Sequence, residues 1–401
     1  VQVCERCFGP LEVQYRYDVL TGHVTRERIA AGPASMWRYR DLLPLDGEIA
    51  SGAHTGLTPL VRARHLGHVL GVRELWIKNE AASNPTGSFK DRVVAVATAK
   101  ARDLGFDTVA CASTGNLAAA VAAHAAQAGM RAYVLVPAAL EAAKLVTTLA
   151  YGPTVIAVDG SYDDANRLSV EIADTRPWAF VNVNLKPYYS EGAKTLAYEI
   201  VEQLGWRTPD HVVLPCAGGS LLAKVWQGIT ELGMLGLVDR VGTRVHAAQP
   251  TGCRPIVTMV EDGTEMLVPV RPRTIVSSLA MGNPPDASAA YRAVKTSGGG
   301  AAHASDEEVV DAMRLLAETE GILTEPAGGV AVAVTRRLID TGRIRHDESV
   351  VIGITGTGLT TSHVIAERVG VHATIPPTRS AFDDALADLT RTTSEETSAW
   401  R

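Results

Sequence analysis

From Leu75 onward, short apolar runs alternate with alanine-rich stretches of helical period. The runs at 75–77, 108–111, 132–137, 154–159, 179–183, 211–215, 244–248 and 349–354 show no strict apolar–polar alternation, which is how strands buried on both faces read. Between them, residues 116–128, 138–149, 162–174, 192–204 and 306–321 carry helical patterns of a length suited to crossover connections. The expected fold class is therefore α/β, with two doubly wound, mainly parallel sheet domains. Two sheets divided near residue 190 accommodate the chain better than one very wide sheet. Residues 19–60 are expected as a wrapping extension, 61–190 as an N-terminal domain, 191–375 as a C-terminal domain, and 376–401, rich in Thr, Ser, Asp and Glu, as a tail.

Composition narrows the partners. With 401 residues, 46% hydrophobic and 20% charged, the chain reads as a soluble globular protein of two or three domains. Its net charge of −6 leaves no basic footprint for nucleic acid or an anionic membrane, so the expected ligand is a small molecule. The expected assembly, on grounds other than charge, is a homodimer. No apolar stretch reaches about 18 residues and the start lacks a secretory pattern, which predicts a cytoplasmic protein. The five cysteines, Cys4, Cys7, Cys111, Cys216 and Cys253, are no disulfide framework. Cys4 and Cys7 form half of a zinc-ribbon ligand set, marking 1–18 as a partial ribbon-like segment, or else two thiols in a turn. A first residue other than Met fits a numbering that begins inside a longer chain, and no complete metal site is expected within these residues.

Four segments carry candidate chemistry. In Asn84-Pro85-Thr86-Gly87-Ser88-Phe89-Lys90-Asp91-Arg92, Pro and Gly force a turn, and Ser88 is placed to cap a helix starting at about Phe89. Lys90 then lies in the first turn, where the helix dipole disfavours an ammonium. Ser113-Thr114-Gly115-Asn116 ends a strand and opens a helix, whose first amides can bind an anion. Ala217-Gly218-Gly219-Ser220-Leu221 follows another strand, and its backbone N–H groups can cradle a phosphate. Ile354-Thr355-Gly356-Thr357-Gly358-Leu359 follows the last strand. Each alone is an ordinary turn, and a lysine beside an Asp-Arg pair is usually a surface ion-pair residue.

In this order, the four resemble the cofactor motifs of fold type II pyridoxal-5'-phosphate (PLP) enzymes. The Ser-Phe-Lys-Asp-Arg ending is more similar to threonine synthases than to dehydratases, cysteine synthases or tryptophan synthase β chains. The resemblance runs from Thr58-Pro59-Leu60 to Leu359, with supporting pieces at Gln249-Pro250-Thr251-Gly252-Cys253, Met281-Gly282-Asn283-Pro284 and Glu325-Pro326-Ala327-Gly328-Gly329. It implies that Lys90 carries PLP as a Schiff base next to Phe89, that Asn116 bonds the pyridine 3'-oxygen, and that Thr355 meets the pyridine nitrogen. Ala217, Gly218, Gly219, Ser220 and Leu221 would hold the cofactor phosphate. Ser88 and the amides of Ser113 and Thr114 would meet substrate, the last two through its carboxylate. Asn184-Leu185-Lys186-Pro187-Tyr188-Tyr189-Ser190-Glu191-Gly192-Ala193-Lys194-Thr195 resembles the segment before the family's Glu-Gly-x-Lys-Thr helix. Tyr189 stands where many bacterial relatives have a phosphate-binding arginine, and Lys186 is the cation to replace it, against its plain reading as a solvated loop lysine. Thr360 stands where a family lysine often follows Gly-Leu.

The implied reaction converts O-phospho-L-homoserine and water to L-threonine and phosphate, with Lys90 moving protons and the released phosphate serving as base for water. Thr360 and Tyr189 keep open a paralogue that performs β-replacement or β-elimination on another amino acid, as cysteate synthase or threonine dehydratase does. A PLP-binding regulatory protein without turnover is a third reading, weakened by the presence of Lys90, Asn116 and Thr355.

Overall fold

The computed structural model describes residues 4, 6, 11–113, 115–140 and 145–396. Its strands are β1 (Leu60–Arg62), β2 (Glu74–Asn79), β3 (Thr108–Ala112), β4 (Arg131–Pro137), β5 (Thr154–Val158), β6 (Ala179–Phe180), β7 (His211–Pro215), β8 (Arg244–Pro250), β9 (Gly300–Ala304) and β10 (Ser349–Ile354). They form one sheet in the order β1-β2-β10-β7-β8-β9 and another in the order β5-β4-β3-β6. Among the described residues, the β1–β2 pair is the one antiparallel strand pair. Central strands β3, β7 and β10 are buried at every position, as their unbroken apolar runs require, whereas β5 at an edge is largely exposed. Residues up to Thr361 form one compact unit and those from Ser362 a second, which contains the helix Arg379–Glu396.

Three local features depart from the sequence expectation. Residues 60–79, placed by chain order with the first sheet, supply β1 and β2 to the larger one, because β2 pairs in parallel register with β10. Periodicity identifies a strand but not its partner. The strand β9 is short and glycine- and alanine-rich, so no apolar run announces it. Of the helix expected at 138–149, the described part is a turn closed by Leu140 N–H on Pro137 O and the short helix Val146–Leu149.

The helices Lys90–Asp103 and Asn116–Ala128 bury Val94, Ala97, Leu117 and Val121 in one core with Val109 and Cys111 of β3 and Leu196 and Ile200 of the helix Lys194–Gln203. Beside this core lies a buried charge cluster. The Arg92 guanidinium donates to both oxygens of Glu80 at 2.6 and 2.8 Å and to both oxygens of Glu199 at 2.6 Å, and it also reaches Thr195 and Thr58. Lys78 Nζ donates to Glu199 at 2.7 Å, to Thr58 O and to Gln203. Arg92, Lys78, Glu80 and Glu199 are all inaccessible to solvent. Two cations offset two carboxylates, which lets four charges leave water together.

Burial alone would raise the Glu199 carboxyl, but the charges of Arg92 and Lys78 and their hydrogen bonds bring it down to about 2. Its folded value is depressed, so the stabilisation is complete above the ordinary carboxylate range and is lost as pH falls towards about 2. Urea unfolding at neutral pH should show Glu199→Ala less stable than the parent by about 3–5 kcal/mol, because buried Lys78 loses its ion-pair partner and buried Arg92 loses one of its two. A loss below about 1 kcal/mol would mean that water re-solvates the site. On acidification the parent should lose this margin over the Glu199→Gln variant, which has no carboxyl to protonate.

Candidate active site

Lys90 is the first residue of its helix, and both of its C-terminal neighbours are anchored. Asp91 accepts from Thr86 N–H and from Thr86 Oγ1, each at 2.9 Å, and lies 3.1 Å from His124 Nε2, while Arg92 enters the charge cluster. The loop before Lys90 is fastened to the loop after β10. Phe89 N–H donates to Thr355 O, Thr357 N–H donates to Gly87 O, and Ser88 bridges Gly356. Gly87 has φ +69°, and a Cβ there would lie 3.0 Å from Thr357, so the turn needs a glycine. Two of the four sequence motifs thus form one hydrogen-bonded unit.

Ser88 does not cap the helix. The N-cap is Phe89, whose side chain has no acceptor, while Ser88 lies one residue earlier in a backbone bridge to Gly356. Its hydroxyl is buried with no hydrogen-bond partner, leaving a polar group available to a ligand. The Lys90 amine donates to Tyr189 Oη at 3.2 Å and lies over the rings of Phe89 at 4.7 Å and Tyr189 at 5.8 Å. Tyr189, expected from the sequence as a substrate-binding residue in the place of an arginine, is a direct neighbour of the amine.

Ser113 and Asn116 lie at the C-terminal end of β3, and Thr355 lies at that of β10, the end of a parallel sheet where ligands bind. Thr114 lies outside the described residues. The Ser113 amide donates to Leu135 O in the sheet, which removes it from the carboxylate-binding role expected of it. Its hydroxyl, which accepts from Gly115 N–H at 3.3 Å, is the group it retains for a ligand. Asn116 Nδ2 donates to Glu325 Oε2 at 2.8 Å, and Thr355 Oγ1 lies 3.3 Å from Glu325 Oε1. Burial raises the Glu325 carboxyl above the usual range, opposed by the bonds from Asn116 and Thr355 and by the charge of Lys90. Sequence reasoning placed Glu325 in a supporting segment and gave it no role. Its signal is a glutamate immediately before the Pro that opens a helix.

The turn Ala217-Gly218-Gly219 leads into the helix Ser220–Met234, whose first amides have no acceptor within the helix, and Leu221 is buried in its first turn. Gly219 has φ +98°, and a Cβ there would meet Asp286 O at 2.5 Å. Asp286 backs this turn, donating its N–H to Gly218 O, and its carboxylate pairs with Lys186 Nζ at 2.8 Å. The cation expected to meet a substrate anion is therefore tied to the glycine turn by a carboxylate that the sequence did not reveal. Lys186 and Tyr189 share the short helix Lys186–Glu191, which joins this turn to Lys90. Of Cys4 and Cys7, the second lies outside the described residues.

These residues fit pyridoxal phosphate. A lysine amine stands beside two aromatic rings, a glycine turn where a side chain would clash opens a long helix for the phosphate, and the orphan hydroxyl of Ser88 is buried next to the amine's own segment. Comparison with known proteins agrees. The pattern of the family described as "Pyridoxal-phosphate dependent enzyme" matches residues 52–356. A threonine synthase of Methanocaldococcus jannaschii is 38% identical over 363 residues, covering 90% of this chain and 88% of that protein. One of Methanosarcina acetivorans is 36% identical over 388 residues, covering 95% and 94%. One of Mycobacterium tuberculosis is 36% identical over 330 residues, covering 82% and 88%. Among solved structures, maize serine racemase aligns with a TM-score of 0.63 at 22% identity, covering 78% of this chain and 92% of that one. Diaminopropionate ammonia lyase from Escherichia coli aligns with a TM-score of 0.67 at 20% identity, covering 85% and 91%. At such identities the two structures establish the fold, and the sequence relatives establish the rest: the chain belongs to the threonine synthase family of pyridoxal-phosphate dependent enzymes.

Proposed function

We propose that the protein converts O-phospho-L-homoserine and water to L-threonine and phosphate, acting as a homodimer in the cytoplasm. No helix of the described residues is long and apolar enough to cross a membrane. The observation that carries the reading is the convergence, on one short helix, of a hydroxyl at the Lys90 amine and a cation at the glycine turn. Bound PLP supplies an electron sink for charge that develops next to the amino-acid α carbon. In the balanced reaction the γ C–O bond to phosphate breaks and a β C–O bond to the oxygen of water forms. One proton leaves the β carbon, one arrives at γ, one is exchanged at α, and the proton that water gives up as its OH joins the β carbon goes to the released phosphate.

Lys90 would carry these protons, a reading supported by its amine lying free of ion pairs among the described residues and 3.2 Å from Tyr189 Oη, which would orient it. Asn116 and Thr355 would hold the cofactor ring, and the amides from Ala217 to Leu221 its phosphate. The Ser88 and Ser113 hydroxyls would receive the substrate. Lys186, held by Asp286, would present positive charge to the leaving phosphate.

Borohydride reduction of the PLP-loaded protein should give a stable lysine adduct in the peptide containing Lys90, read by mass spectrometry. An adduct at Lys78 or Lys194, each buried in ion pairs, would overturn the assignment. For the substrate anion, Lys186→Ala should lower kcat/KM on O-phosphohomoserine by about tenfold or more while leaving the absorbance of the bound cofactor unchanged. Thr360→Lys should raise activity on the same substrate. If neither substitution changes these kinetics, the leaving group is not phosphate, and the reading passes to a paralogue acting on another amino acid.

A further inference from the structure

Glu325 meets both of the side chains assigned here to the cofactor ring, Asn116 at 2.8 Å and Thr355 at 3.3 Å. Its carboxyl is held from several sides. Its own N–H donates to Gly356 O at 3.1 Å, Thr324 bridges Thr357, and a Cβ on Gly356 would come within 2.7 Å of the carboxyl carbon. Among the described residues no cation pairs with it, and Lys90 acts on it only through space. A buried carboxyl without a counter-ion favours its neutral form. In that form it has one oxygen that accepts and one O–H that donates, whereas the ionised form only accepts.

We infer that Glu325 is a positioning residue, held as a neutral acid, that sets the direction of the hydrogen bonds Asn116 and Thr355 offer to the cofactor ring. The carbonyl oxygen takes one N–H of Asn116, which turns the amide so that its second N–H is free for the ring oxygen. The acid O–H goes to Thr355 Oγ1, which leaves the threonine proton for the pyridine nitrogen. An ionised Glu325 would take that proton instead, and Thr355 could then only accept, favouring a protonated ring. The inference rests on the reading that Asn116 and Thr355 face the cofactor.

The test compares Glu325→Gln with Glu325→Ala. Glutamine reproduces one acceptor and one donor, and alanine removes both. Apoprotein is titrated with pyridoxal 5'-phosphate, following tryptophan fluorescence for Kd and visible absorbance for the bound cofactor, with thermal unfolding of each apoprotein in parallel. Glu325→Gln should keep the absorbance maximum and a Kd within about threefold of the parent, and Glu325→Ala should bind about tenfold more weakly or worse, with a shifted maximum. Equal weakening by both variants, or a shifted maximum in Glu325→Gln, would show that the negative charge is required and overturn the neutral acid. Parent-like binding by both would remove the positioning role. If Glu325→Ala does not fold, the absorbance maximum of Glu325→Gln decides alone. Asn116→Ala and Thr355→Val in the same titration separate the two levels. If neither weakens binding, the site reading fails. If both weaken it and the Glu325 variants do not, only this inference fails.

Discussion

Arg92 stays charged at any pH a protein meets, and here it has no access to water. Every nitrogen of its guanidinium must therefore find an acceptor inside the protein, and Glu80, Glu199, Thr58 and Thr195 supply them. These partners come from distant parts of the chain: the segment before β1, the loop after β2, and the helix Lys194–Gln203. Satisfying one side chain thus fixes three segments around the start of the helix Lys90–Asp103. Lys90 sits two residues before Arg92, where the backbone has little freedom left. Asp91 removes the remainder by holding the Thr86 turn on one side and His124 on the other. The Asp-Arg pair after the lysine is thus mechanical, setting the position of an amine that itself remains available.

That availability separates Lys90 from the other lysines of the interior. Lys78 is neutralised by Glu199, and Lys194 by Glu191 and Glu231. The extension at the start of the chain completes the Lys194 environment, with the ring of Tyr15 4.0 Å from its amine and the hydroxyls of Tyr15 and Tyr17 donating to Glu191 and Glu231. Each of these amines is buried and committed to carboxylate partners, so neither is free to attack a carbonyl. Lys90 instead meets a phenol and two ring faces, and among the described residues no carboxylate lies within ion-pair distance.

Much of this was legible before any coordinates. Unbroken apolar runs such as those of β7 and β10 identify strands buried on both faces, and the motif order along the chain identifies the family. Local patterns could not show which distant groups meet. β2 reads as a strand, yet nothing in its residues says that its neighbour is β10, hundreds of positions away. Ser88 has the right type and spacing for a helix cap, but a tertiary bridge to Gly356 overrides that local preference. Asp286 lies outside the motifs and Glu325 in a segment that carried no assigned role, and what gives each its contacts is what lies opposite it.

Those two carboxyls divide the chemistry of the site. Asp286 stands at the glycine turn with a cation in contact, so its charge is balanced and serves to fix Lys186 against the helix start. Glu325 stands at the other end, buried, contacted by an amide and a hydroxyl and by no cation among the described residues, so charge there would be uncompensated. The same functional group thus stands against a cation in one place and is buried without one in the other, where burial raises it. One end of the site is suited to anions, and the other is suited to directing hydrogen bonds without adding charge. That division suits the proposed site, which would hold the phosphate of a cofactor at the glycine turn and its ring beside Asn116 and Thr355.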